Sequence, residues 1–63
     1  MTNYHRFVYV VCVYSLNRTI DGFSDTTETL SEFIERMRWH YCWAFGTAYN
    51  DVKVTAREIK LED

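Results

Sequence analysis

The run Phe7–Tyr14, FVYVVCVY, constrains this chain more than any other stretch. Its β-branched and aromatic residues suit a pleated, half-buried surface. The odd positions are Phe7, Tyr9, Val11 and Val13, and the even ones are Val8, Val10, Cys12 and Tyr14. Both parities are apolar, so a strand over Arg6 to Ser15 is expected at the centre of a sheet, covered on both sides. At about nine residues, with Tyr in its middle, the run is too short for a membrane span. MTNYHRFVYVVCVYS also lacks the small-residue cleavage site of a signal peptide.

Turn and strand signals follow. Leu16 to Arg18 reads as a turn, with Asn17 able to adopt a left-handed conformation. Thr19 to Thr26 reads as a return strand, in which Ile20 and Phe23 have opposite parity. A bulge at Asp21-Gly22 would bring both to one face; alternatively, Asp21-Gly22 is itself the hairpin turn. Leu30 to Phe45 reads as the only helix, opened by a capping box at Thr29 and Glu32 and closed at Gly46. Asp51 to Glu62 reads as a last strand, with a bulge or bend near Arg57 needed to align Val52, Val54 and Ala56 with Ile59 and Leu61.

These elements make one α+β domain over residues 1–63, in the order ββαβ. Short connections imply a three-stranded antiparallel sheet of order 2-1-3 with the helix packed on one face. A 63-residue chain buries only about 60% of the surface that its unfolded form exposes. Since 48% of the residues are hydrophobic and 17% aromatic, some large apolar surface should be left to face a partner.

The helix carries the first candidate surface. Leu30, Phe33, Ile34, Met37, Tyr41, Ala44 and Phe45 form one apolar stripe at about 100° per residue. Trp39 and Trp43 fall on the opposite side, one turn apart, with Arg36, His40 and Glu32 around them. Paired Trp on an outer helix face is uncommon, and Trp is enriched at interface hot spots. The competing reading ends the helix near Tyr41 and folds Trp43 and Phe45 back onto the core. The second candidate is the sheet face that the helix leaves open, which parity alone does not identify. Phe7, Tyr9, Val11 and Val13 are taken as that face and as the interface of a homodimer. The alternative is that Tyr4 and the loop Thr47 to Asn50 cover it.

Other chemistries have weaker support. His5, Cys12, His40 and Cys42 make a formal zinc count, but their spacing is wrong. His40 and Cys42 project roughly 160° apart on a helix. The two cysteines read as free thiols in a reducing cytoplasm. No local signature supports a nucleophile–base pair, and with only Gly22 and Gly46 there is no phosphate-binding loop. No catalytic residue, metal or cofactor is therefore expected. Arg6, Arg18, Lys53, Arg57 and Lys60 could gather on the strands beside Tyr9 and Tyr14 as stacking platforms for nucleic acid. Interspersed acids and a formal net charge of −2 argue against this.

The layout SLNRTIDGFSDT, then ETLSEFIERMRWHY, then VKVTAREIKLE resembles the small acidic proteins that bacteriophages make to take over host enzymes. These include inhibitors of host RNA polymerase and some anti-CRISPR proteins. The likeness is one of pattern, so no functional residue carries over. It implies a non-enzymatic inhibitor or adaptor acting in the host cytoplasm. Its partner would be a larger host protein, often one that processes nucleic acid.

Overall fold

The computed structural model describes residues 4–60. Strand β1 (His5–Val13) runs into a short 3-10 turn (Tyr14–Leu16) and returns as β2 (Arg18–Thr26). Asn17 supplies the left-handed residue of that reversal, at φ 51°. Helix α1 (Leu30–Phe45) follows, then a second 3-10 turn (Tyr49–Asp51) and strand β3 (Val52–Ile59). The sheet is antiparallel, three-stranded and ordered β2-β1-β3, with the helix across one face.

Both helix ends follow the sequence signals. Thr29 Oγ1 accepts from the Glu32 backbone N–H at 3.3 Å, and the Glu32 carboxylate accepts from the Thr29 N–H at 2.9 Å. Gly46 closes the helix at φ 62°, a conformation that a side chain would strain. The helix continues past Tyr41, so Trp43 is not folded back as a loop anchor.

The parity assignment is corrected. Phe7, Val11 and Val13 are almost fully buried beneath the helix, and Tyr9 is half-buried beside them. They are core, not an open oligomer face. Register supplies the reason. Val13, Val11 and Tyr9 lie opposite Val52, Val54 and Ala56, whereas Cys12, Val10 and Val8 lie opposite Lys53, Thr55 and Arg57. A helix over the even face would bury that charged column without partners. The odd face also brings the larger rings. Phe33, fully buried, packs at 5.0 Å from Phe7 and 5.9 Å from Tyr9.

No bulge is needed in either outer strand. β2 pairs with β1 through nine consecutive positions, from His5 opposite Thr26 to Val13 opposite Arg18. Asp21-Gly22 is thus neither bulge nor hairpin turn. Ile20 faces the helix and Phe23 faces away. β3 likewise stays in register to Ile59, which lies opposite Arg6 on the face turned from the helix. Leu61 lies outside the described residues. Gly22 has a different purpose: a Cβ there would come within 2.9 Å of the Tyr9 hydroxyl, because the Tyr9 ring lies across this position.

The helix stripe is shifted from the expected one. Phe33, Met37 and Cys42 are buried, with Ile34, Tyr41 and Phe45 packed against them. Leu30, in the first turn, and Ala44, at the stripe's margin, stay exposed. Cys42 is covered by the chain reversing after Gly46, and its thiol donates to the Thr47 carbonyl. That returning loop is held at Asp51. Its carboxylate accepts from the Ser15 N–H at 3.0 Å, from the Ser15 hydroxyl and from Thr47 Oγ1 at 2.6 Å.

Phe33→Ala should destabilise the domain by about 3–5 kcal/mol, and Gly22→Val, which drives methyls into the Tyr9 ring, by about 1–3 kcal/mol. Urea titrations followed by circular dichroism measure both; a Gly22→Val midpoint at or above wild type would contradict the Tyr9 placement. Hydrogen bonds from Ser15 and Thr47 hold the Asp51 carboxyl below its ordinary range, the Arg6 guanidinium does so for Asp25, and the Thr29 N–H and hydroxyl do so for Glu32. Depressed folded-state values stabilise fully above the unfolded pKa, about 4, and that stability is lost as pH falls through the lower folded values. The melting temperature should therefore be level from about pH 7 to pH 5 and fall below about pH 4. Asp51→Asn should melt lower at neutral pH and show a smaller acid-induced drop.

Candidate interaction surfaces

The outer face of α1 is built on a polar clasp to the loop before β3. Arg38 reaches off the helix and donates through Nε to the Val52 carbonyl at 2.7 Å and the Tyr49 carbonyl at 3.3 Å. Its guanidinium lies 4.2 Å from the Tyr49 ring centroid. The Tyr49 hydroxyl donates to Glu35 at 2.6 Å, which pushes the Tyr49 phenol above its usual pKa. The other Glu35 oxygen accepts from Trp39 Nε1 at 3.0 Å. Trp39 and Tyr49 then meet with ring centroids 4.6 Å apart.

Trp39 is therefore oriented by protein contacts while 47% of it stays exposed; Trp43, one turn on, is 81% exposed. Both indoles stand on the side of the helix turned from the sheet, as the spacing predicted. Their expected neighbours divide. Glu32 is held in the capping box. Arg36 pairs with Glu28 at 2.9 Å and lies over the Phe33 ring. His40 is exposed and meets Tyr41 edge-on at 5.0 Å. The ring partner of Trp39 is Tyr49, which sequence reasoning did not single out. The signal was present in Glu35 and Trp39 at i,i+4 spacing, but Tyr49 reaches them only through the fold of the loop.

Among the described residues, no element covers the sheet face made of the even residues of β1 and their neighbours. Four rows cross it: Asp25–Arg6–Ile59, Phe23–Val8–Arg57, Asp21–Val10–Thr55 and Thr19–Cys12–Lys53. Phe23 is 68% exposed and Val10 38%. The loop Thr47 to Asn50 does not cover this face, because it packs on the helix side through Tyr49 and the Thr47 carbonyl. Tyr4 is exposed at the edge of an open hollow that Arg6, Asp25 and Ile59 help to line.

The residues considered for other chemistries are dispersed. His5 pairs with Glu58 at 2.9 Å, Cys12 lies on the open face, His40 is on the helix exterior and Cys42 is in the core. Among the described residues no group of three or more His, Cys, Asp or Glu could hold a metal ion. Tyr9, a stacking platform only in the disfavoured nucleic-acid reading, is under the helix; Tyr14 is exposed at the strand end. Arg6 is engaged by Asp25 in a bidentate pair at 2.7 and 3.0 Å. No described helix is long and apolar enough to cross a membrane. No protein-family model, curated protein or solved structure matches the chain.

Proposed function

We propose that this chain is a non-enzymatic protein-binding module, an inhibitor or adaptor that acts stoichiometrically on a larger protein. The observation that carries this reading is Trp43, an 81% exposed indole one turn from Trp39 on the outer helix face. An exposed Trp gives no stability in return for its contact with water, whereas in a partner's pocket it buries about 150–250 Å². The clasp through Glu35, Tyr49 and Arg38 supports the reading further. It fixes the Trp39 ring before any partner arrives, which reduces the entropy lost on docking.

The mechanism is steric: Trp43 fills an apolar pocket while Trp39 and the polar residues around it form the rim. A bacterial target, as the phage-inhibitor layout implies, and a reducing cytoplasm, which suits free Cys12 and Cys42, belong to the same proposal. A structural subunit that assembles through its sheet is the second reading, supported by the uncovered face around Val10 and Phe23.

The two indoles should separate in stability and converge in binding. Trp43→Ala should leave stability within about 0.5 kcal/mol of wild type. Trp39→Ala should cost about 1 kcal/mol through loss of the Tyr49 ring contact. Both should weaken the complex with the target at least tenfold. The measurement is capture from bacterial lysate by immobilised wild-type and variant chains, with thermal melts as the folding control. Equal capture of the same protein by wild type and by a folded Trp39→Ala/Trp43→Ala chain would exclude the helix surface as the docking site.

A further inference from the structure

We infer that the uncovered sheet face binds a second copy of this chain, face to face, about a two-fold axis parallel to the strands. This concerns the opposite side of the molecule from the Trp surface and does not rest on it.

The face has the composition of an interface. Val8, Val10 and Cys12 run down its centre and Phe23 adds a mostly exposed ring. On one side β2 carries Asp21 and Asp25; on the other β3 carries Lys53 and Arg57. An apolar centre with a polar rim is the usual anatomy. Among the described residues Asp25 is paired with Arg6, while Asp21, Lys53 and Arg57 have no ion-pair partner.

The charges select the axis. Two sheets can meet face to face with a two-fold axis across the strands or along them. An axis across the strands lays β2 on β2 and β3 on β3, acid against acid and base against base. An axis along β1 lays β2 of each copy on β3 of the other. Each row then meets itself reversed. Phe23 comes over Arg57 of the second copy, at a shallow groove that Arg57 lines with Val8, Val10 and Thr55. Asp21 comes over Thr55, between Arg57 and Lys53 of the second copy. Val8, Val10 and Cys12 meet their own counterparts along the axis, as does Arg6 at one end, where Asp25 of the same chain pairs each guanidinium.

Size sets the strength. Nine residues at about 3.3 Å and three strands at about 4.8 Å give a face of about 30 by 14 Å. That footprint, about 420 Å² per copy, lies below the standard size of a specific interface and fits a weak one, so dissociation is expected in the micromolar range, about 10–100 µM.

Sedimentation velocity of the full chain from about 10 µM to 1 mM tests the inference, bracketing that range. Wild type and Trp43→Ala should both dimerise. Val10→Lys, which places two ammonium groups on the axis, and Phe23→Ser should be monomeric with unchanged circular dichroism. Asp21→Lys and Arg57→Glu should each weaken the dimer about tenfold, and the double variant Asp21→Lys/Arg57→Glu should recover it. A short thiol cross-linker should join Cys12 to Cys12. A wild-type chain monomeric at 1 mM overturns the inference, as does a dimer insensitive to Val10→Lys and Phe23→Ser. Single variants that weaken the dimer without recovery in the double overturn the strand-parallel axis.

Discussion

Phe33 is the residue through which the two layers become one domain. It is fully buried, and its ring lies between those of Phe7 and Tyr9 on the central strand. A chain with one helix covers one face of a three-stranded sheet, and the choice of face is set where the helix inserts its largest side chain. The odd face accepts Phe33 between Phe7 and Tyr9, and carries Val11, Val13, Val52 and Val54 in the same buried core. The even face instead carries Arg57 and Lys53 on β3, and burying those guanidinium and ammonium groups without partners would cost more than the ring returns.

The rest of the helix follows from that anchor. With Phe33 and Met37 turned into the sheet, Arg38 is placed at the edge of the stripe, where its stem is covered and its guanidinium meets the carbonyls of Tyr49 and Val52. Tyr49 then lies over the helix flank and closes on Trp39 and Glu35. Trp43, a turn further on, has no such ring against it and stays in water. The unequal exposure of the two indoles thus follows from the placement of the Tyr49 ring, not from a difference between the residues.

Much of the fold was legible because its signals are local. The capping box at Thr29, the left-handed residues Asn17 and Gly46, and the helix from Leu30 to Phe45 each depend on side chains within a few positions of one another. The strand order followed from connection length and from the apolar richness of β1. The sheet face did not follow from β1 alone, since both of its parities are apolar. It was encoded in β3, where Val52, Val54 and Ala56 alternate with Lys53, Thr55 and Arg57. Reading that alternation through an antiparallel register would have identified the covered face. Opposite parity, as in Ile20 and Phe23, means opposite faces of the sheet and not a bulge. Phe23 and Ile59 lie on the face turned from the helix, and are part of why that face is apolar. The Tyr49 clasp was illegible because it joins residues a loop apart, and no periodicity reports a loop's path.

The two surfaces left over lie on opposite sides of a single layer pair, and both proposals can hold at once. An occupant of the sheet face does not touch Trp39 or Trp43, so neither surface need compete with the other. A pair of chains joined sheet to sheet would direct its two helices outward, one from each side. Against a target that is itself two-fold or repeated, and whose sites the pair can span, such a pair binds the second site at the effective concentration set by the first. Weak individual docking through a Trp pair can then yield a tight complex. A small domain has little area for one strong interface, and dividing its apolar surface between self-association and target binding is one way for such a chain to hold a large partner.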